Sequence, residues 1–457
     1  MSDGQRGKHR SSGTGPRLVW TLVAVLCLVA GLARSAAAQG IPLIRDTEIE
    51  LLLNDYAQPI FKAAGLGTGR VSVRIVRNDA FNAFVMDGRS VYVHTGMLMQ
   101  SDTPNQVIGV IAHEAGHISG GHIASMQARL AREQTRMLLL RVLGIGAAIA
   151  TGRGEAIVAA DEVIIRSFLA ERRSQESAAD QAGLQFLNAT KQSGRGMLET
   201  FERFAQQEYV SDTYKDPFVR SHPIAVDRLR QLRDNVSKSA FSAQKDPPEL
   251  QLRHDLMRAK LSGYLNTPQI VSNRYPPADT SLPARYARAI AKFFRGGPGA
   301  LEGALADIDG LIKDRPTYPF FHELKGDLLM RSGRTKEAVA PLRQALKLAG
   351  GANLIEVQLA TALLATNEPG VLEEASTLLR RSLVSDQNPR GFRALADASY
   401  RSGKASEADA AMSQATMLEG DIKQAQIFAK RAQRGLTPNS PLWIKMDDII
   451  NSKPRQE

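Results

Sequence analysis

Val107-Ile108-Gly109-Val110-Ile111-Ala112-His113-Glu114-Ala115-Gly116-His117 is the stretch on which the reading of this chain turns. Side chains four apart on a helix share one face. His113 and His117 can therefore aim two imidazoles at one cation, with Glu114 one position round from the first. The preceding turns are apolar, as a helix that carries chemistry inside a fold requires. Zinc favours imidazole nitrogen and keeps one position open when it is catalytic. A carboxylate at Glu114 then stands beside the water that such a metal activates, where it can act as general base. Thr103-Pro104 opens the helix, with threonine as N-cap and proline at the first helical position.

A third ligand must come from elsewhere. His122 follows Gly120, but the pattern H-E-x-x-H-x-x-G-x-x-H needs its last histidine at the position held by Ile123. His122 therefore reads as a polar residue near the helix end. Arg173-Ser174-Gln175-Glu176-Ser177-Ala178-Ala179-Asp180 is the better source. Glu176 and Asp180 share a helical face; the first can ligate zinc and the second can accept a hydrogen bond from a ligand imidazole. Glu171 is a competing carboxylate on the same stretch. His222, in Ser221-His222-Pro223, sits on a turn. It could reach the open metal position and hold the site latent, contact substrate, or serve only the turn.

Upstream, Arg45 to Ala64 carries Ile49, Leu52, Leu53, Tyr56 and Ile60 at helical spacing. Residues 71–76 alternate like a strand, and 81–86 and 90–94 flank Asp87-Gly88 as a hairpin. Residues 1–38 read as a secretory signal. Arg6, Lys8, Arg10 and Arg17 precede an apolar run from Leu18 to Leu32, and Ser35-Ala36-Ala37-Ala38 offers cleavage before Gln39. The only cysteine, Cys27, lies inside that run, so the remainder forms no disulfide. The formal charge of +11 includes the basic residues of this segment, and no run of lysine or arginine is dense enough to argue for nucleic acid.

Downstream of Pro104 the pattern is helical to about residue 233. Met137 to Ala150 is apolar apart from Arg141, too short for a span, and reads as a core helix, a flap, or a segment touching a membrane. Residues 234–248 and 266–283 look like connecting segments around a helix from Leu250 to Leu265.

The last third repeats. Ala304, Ala338, Ala375 and Ala408 are separated by 34, 37 and 33 residues. Four positions after each stand Ile308, Leu342, Leu379 and Met412, and three further on Leu311, Ala345, Ser382 and Ala415. Gly326 supplies a small residue in the second unit. The period resembles the tetratricopeptide repeat, paired helices of about 34 residues. The third unit departs from it at Asn367-Glu368-Pro369-Gly370.

H-E-x-x-H followed by E-x-x-A-D resembles the metallopeptidase family of the CAAX prenyl protease and the heat-shock membrane protease. The likeness extends to Asn82-Ala83-Phe84 and Ser221-His222-Pro223. With the signal and the repeats, it is most similar to periplasmic members of that family. The resemblance implies zinc as cofactor, His113, His117 and Glu176 as ligands, Glu114 as the catalytic base and Asp180 in support. Ala178 departs from relatives that often place a second Glu there.

The expected fold is mainly α: an N-terminal α+β zincin-like metallopeptidase domain followed by an α-helical tetratricopeptide-repeat solenoid. The expected boundaries are 1–38 signal, 39–233 peptidase, 234–283 linker with a helix, 284–433 repeats and 434–457 cap and tail. The expected function is a periplasmic zinc endopeptidase acting on unfolded or misassembled proteins, with outer-membrane assembly machinery as a partner of the repeats. The rival is a non-proteolytic chaperone or assembly factor with a latent zinc site. The intact Glu114 argues against a dead enzyme.

Overall fold

Asp46 starts the first helix, its Oδ1 accepting from the N–H of Ile49 at 3.0 Å. In the computed structural model this helix, α1, is Thr47–Ala63. Ile49, Leu52, Leu53, Tyr56 and Ile60 are all at most 1% exposed, so the face read from spacing is the face that is buried. Each such large apolar side chain contributes about 1.5–3 kcal/mol on burial. The structure describes residues 41–67, 69–129, 131–132, 155–206, 222 and 226–453. The chain divides into two units, Met1–Leu43 and Ile44–Glu457, and every described helix belongs to the second. The proposed signal, 1–38, and the apolar stretch 137–150 lie outside the described residues.

A four-stranded sheet has the order β1-β2-β4-β3, with β1 Leu43–Ile44, β2 Ser72–Val76, β3 Ala83–Val85 and β4 Ser90–His94. β2 runs parallel to β4, with Ser72 opposite Ser90. β3 is antiparallel to β4, with Phe84 opposite Tyr92. Asp87 closes the expected hairpin: its Oδ1 accepts from the backbone N–H groups of Arg89 and Ser90 at 2.9 and 2.8 Å. β3 is left at an edge of the sheet.

β4 leads into α2, Thr95–Gln100, and then α3, Pro104–Ser119. Thr103 caps α3 through Oγ1 and the N–H of Gln106 at 3.4 Å. Val107, Ile108, Val110, Ile111, Ala112 and Ala115 are buried; α3 is apolar on nearly every side because neighbours surround it. Those neighbours are α1, α4 (Glu155–Ala189) and α5 (Arg195–Ala205). α6 is Val226–Lys238. Among the described residues, no helix is long and apolar enough to cross a membrane.

The segment expected to connect the two halves holds two helices, α7 (Pro248–Leu265) and α8 (Pro268–Arg274). α8 corrects the reading of 266–283 as a plain connection. Thr267 caps it and Pro268 takes its first position, so this proline starts a helix. α7 is shared between cores: Met257 and Leu261 pack with the sheet and α3, Leu256 and Ala259 with the helices beyond. Lys260 on α7 is buried against Asp46 at 2.7 Å, Glu48 at 3.2 Å and Glu323 at 3.4 Å.

His254 of α7 is fully buried. Its Nε2–H donates to the Ser101 carbonyl at 2.9 Å, and its Nδ1 accepts from the Tyr56 hydroxyl at 3.1 Å. That neutral tautomer satisfies both nitrogens. Burial lowers the His254 pKa to about 4, with the Ser101 bond opposing. A depressed histidine favours the fold while both states are neutral. Below about 6.5 the unfolded chain binds the proton first, so stability is lost as pH falls from 6.5 towards 4, by about 3 kcal/mol in all. Urea unfolding across that window should show the slope, and His254→Phe should flatten it; an unchanged slope would assign the pH dependence to other groups.

The helices of the C-terminal half form hairpins: α9 Leu282–Arg295 with α10 Ala300–Asp314, α11 Pro319–Arg331 with α12 Thr335–Leu348, α13 Asn353–Thr366 with α14 Val371–Ser385. Then come α15 Pro389–Arg401 with α16 Ala405–Leu418, and α17 Ile422–Gln433 with α18 Pro441–Ile450. Ala304, Ala338, Ala375 and Ala408 each occupy the second helix of a hairpin and are buried. Ser382, a hydroxyl at an otherwise apolar position, is satisfied by donating to the Asn353 carbonyl at 2.9 Å. A Cβ on Gly326 would lie 2.5 Å from Leu342 Cγ, which accounts for the small residue there. The long third turn places Asn367 and Gly370 in the left-handed region, at φ 54° and 84°.

Candidate metal centre

Two helices converge on His113. Gly116 is where α3 meets α4: a Cβ there would stand 2.7 Å from the Ala179 carbonyl oxygen. Gly183 on α4 faces Ala112 and the His113 nitrogen in the same way, with a Cβ contact of 3.1 Å. This close approach brings Glu176 and Asp180 beside the two histidines. The described residues thus contain a buried group of His113, His117, Glu176 and His222, whose ligand atoms all lie within 4.8 Å of one another.

The individual distances define the centre. His113 Nε2 is 3.1 Å from His117 Nε2 and 3.3 Å from His222 Nδ1. His222 Nδ1 is 3.1 Å from each Glu176 carboxylate oxygen. Glu176 lies 3.5 Å from His113 Nε2 and 3.6 Å from His117 Nε2. Three ring nitrogens and a carboxylate thus face one another in a buried space. When neutral, nitrogens so placed would turn lone pairs towards a common point, an arrangement that suits a cation. The chemistry of this donor set fits zinc.

The surroundings reinforce that fit. His113 Nδ1 stands 3.0 Å from Asp180 Oδ1, on the side of the ring away from the centre. Burial works against charge on His113, yet Asp180 and Glu176 carry its pKa up to about 10. Burial raises Glu176 too, but His222 and His113 hold it well below the usual carboxylate range. The carboxylates therefore set up a field that calls for positive charge. Glu114 is 1% exposed and its Oε1 makes no hydrogen bond; that oxygen lies 3.6 Å from His222 Nε2. Burial raises its pKa, with His222 and His113 opposing. A buried carboxylate with an unsatisfied oxygen beside the donors is placed to take a proton.

The expected residues His113, Glu114, His117, Glu176, Asp180 and His222 are all brought together. His122 and Glu171 do not join the donor group. His122 Nδ1 instead lies 3.0 Å from His117 Nδ1, the ring nitrogen turned away from the centre. Glu171 is engaged by Arg129, and it accepts from Gln175 at 3.2 Å.

Arg228 on α6 was not anticipated. It is 6% exposed and donates to both oxygens of Asp180, at 2.8 and 2.9 Å, and its third nitrogen lies 3.2 Å from Glu176. A fork of this kind fixes both carboxylates in direction as well as charge. The signal was available: Arg228, Leu232 and Val236 form the buried stripe of α6, and an arginine in an apolar stripe needs a buried partner.

Residues 44–236 match the model for Peptidase family M48. This segment is similar to M48 metallopeptidase domains. The chain is accordingly a metallopeptidase, and its cofactor is zinc. It is similar to the beta-barrel assembly-enhancing protease of Yersinia pestis, 25% identical over 410 residues that cover 84% of this chain and 79% of that one. Its similarity to the protein of the same name in Escherichia coli K12 is 23% over 400 residues, covering 84% and 78%. A shorter match, 27% over 168 residues, links it to Metalloprotease LoiP of Escherichia coli K12, covering 36% of this chain and 63% of that one. The two longer matches, at 84% of this chain, reach into both the segment 44–236 and the hairpins.

Proposed function

We propose that this chain is a periplasmic endopeptidase that cleaves unfolded or misassembled envelope proteins, in the service of β-barrel assembly in the outer membrane. The observation that carries the reading is the buried donor group of His113, His117, Glu176 and His222 with Glu114 beside it. The names of the relatives support the assembly context, and residues 1–38, with their basic start and apolar run, support export.

His113, His117 and Glu176 would hold zinc, which when bound supplies the Lewis acidity that makes water a nucleophile at neutral pH. Glu114 takes the proton of the attacking water and passes it to the leaving amine. Asp180 Oδ1, 3.0 Å from His113 Nδ1, favours a proton on that nitrogen, the tautomer that would leave Nε2 to ligate. Arg228 holds Asp180 and Glu176 in place. β3, at the sheet edge, offers main-chain groups to an extended substrate that adds as a further strand.

The division into a peptidase domain, 39–233, and tetratricopeptide repeats, 284–433, belongs to the same proposal, with clients or assembly machinery selected by the repeats. His222 among the donors supports a latent state in which the repeats act as a chaperone without cleavage, so the rival reading becomes a state of one protein. The test is zinc content and casein cleavage measured on the same preparations. His113→Ala, His117→Ala and Glu176→Ala should each lose zinc and turnover. Stoichiometric zinc with full turnover in Glu176→Ala would require another third ligand.

A further inference from the structure

We propose that a second site, a pocket between the M48 domain and the helical hairpins, binds the carboxylate end of an extended polypeptide. The pocket has a volume of about 410 Å³, inside the ~300–1,000 Å³ range of ligand sites. Arg77, directly after β2, lines it from the peptidase side, and Gln358 of α13 and Arg390 of α15 from the other.

Its charges decide the ligand. Asp46 and Glu323 line it but are bound to Lys260 at 2.7 and 3.4 Å, and Asp327 is bound to Arg331 at 2.7 Å. Arg45 on the same wall is held by Glu50 at 2.7 Å and Asp386 at 2.9 Å. Arg77 and Arg390 are left over: neither has an ion pair or a side-chain hydrogen bond among the described residues. A guanidinium presents a fork of N–H donors that matches a carboxylate. The pocket as a whole therefore has spare positive charge with no acid of its own to meet it.

Gln358 asks for the opposite partner. Its Oε1 is buried and makes no hydrogen bond among the described residues, so it can accept one from a ligand N–H. The end of a polypeptide carries both groups within one residue, a carboxylate and the peptide N–H next to it. An inorganic anion offers no such N–H. Phe294, 44% exposed, adds an apolar wall for the last side chain. Binding here uses neither zinc nor Glu114. That the bound chain is a substrate rests on the protease reading, but the binding itself does not.

The experiment uses the full chain carrying Glu114→Gln, so that no peptide is cleaved, and fluorescence anisotropy of a short labelled peptide ending in phenylalanine. The free acid should bind, and amidation of its end should weaken binding about tenfold or more, the loss of one charge-assisted contact. Arg77→Ala and Arg390→Ala should each weaken the free acid and leave the amide and the zinc content as they were. Equal binding of acid and amide, no binding of the acid, or an unchanged affinity in Arg77→Ala/Arg390→Ala would overturn the proposal. So would an amidated peptide ending in aspartate that binds as tightly as the acid, since the pocket would then read side chains. Failure of the parent chain to cleave casein would count against the protease reading and would leave these binding results intact.

Discussion

Glu114→Gln is expected to keep zinc at the parent's stoichiometry while kcat for casein falls about 10²–10⁴-fold, the range that positioned general acid–base groups supply. The two halves of that expectation have separate causes. Glu114 is not one of the four residues whose donor atoms converge, so an isosteric amide leaves the donor set as it stands. Glutamine cannot accept the proton of the attacking water, and it has none to return to the leaving amine. Burial makes the native carboxylate a stronger base towards the attacking water by raising its pKa, with His222 and His113 restraining the rise. The loss should therefore appear in kcat, with little change in KM. Parallel zinc analysis and steady-state kinetics check this. A variant that holds zinc and turns over within about twofold of the parent would move the base to another group, since such a change is under 0.5 kcal/mol of barrier.

What the sequence disclosed was whatever depends on short spacing. His113 and His117, like Glu176 and Asp180, are pairs four residues apart, and a helix puts such pairs on one face whatever surrounds it. The same holds for the Thr103 cap, the Asp87-Gly88 hairpin and the alanines that recur in the hairpins. Tertiary pairing was harder to read. Nothing local says that Arg228 reaches back to Asp180, that His122 lies against the outer nitrogen of His117, or that Lys260 is buried among Asp46, Glu48 and Glu323. Gly116 and Gly183 fall between these cases. Their positions were visible inside the two motifs, but the reason for them, the close approach of α3 and α4, exists only once the helices pack. The segment 266–283 misled for a different reason: proline marks helix starts as well as breaks, and only the capping threonine before Pro268 separates the two.

His222→Ala is expected to raise basal proteolysis, self-cleavage included, by roughly ten- to a hundredfold, with zinc content unchanged. His222 Nδ1 stands 3.3 Å from His113 Nε2 and 3.1 Å from both Glu176 oxygens, so it shares the space of the proposed ligands. Its other nitrogen lies 3.6 Å from Glu114 Oε1. On the latency account, this one ring would fill the donor position that a catalytic zinc leaves open, and it stands beside Glu114. If the closed arrangement holds between about 90% and 99% of molecules, removing the ring releases about ten to a hundred times more competent enzyme. The proposed ligands His113, His117 and Glu176 would remain to hold the metal, so zinc content should not follow activity. The opposing account makes His222 a contact to substrate or to the charge that develops on the scissile carbonyl, and then turnover should fall with zinc retained. A purely structural histidine would leave turnover alone and lower the unfolding midpoint. Turnover, zinc content and urea midpoint measured on one preparation separate the three, and lower turnover at full zinc occupancy would sink the latency account.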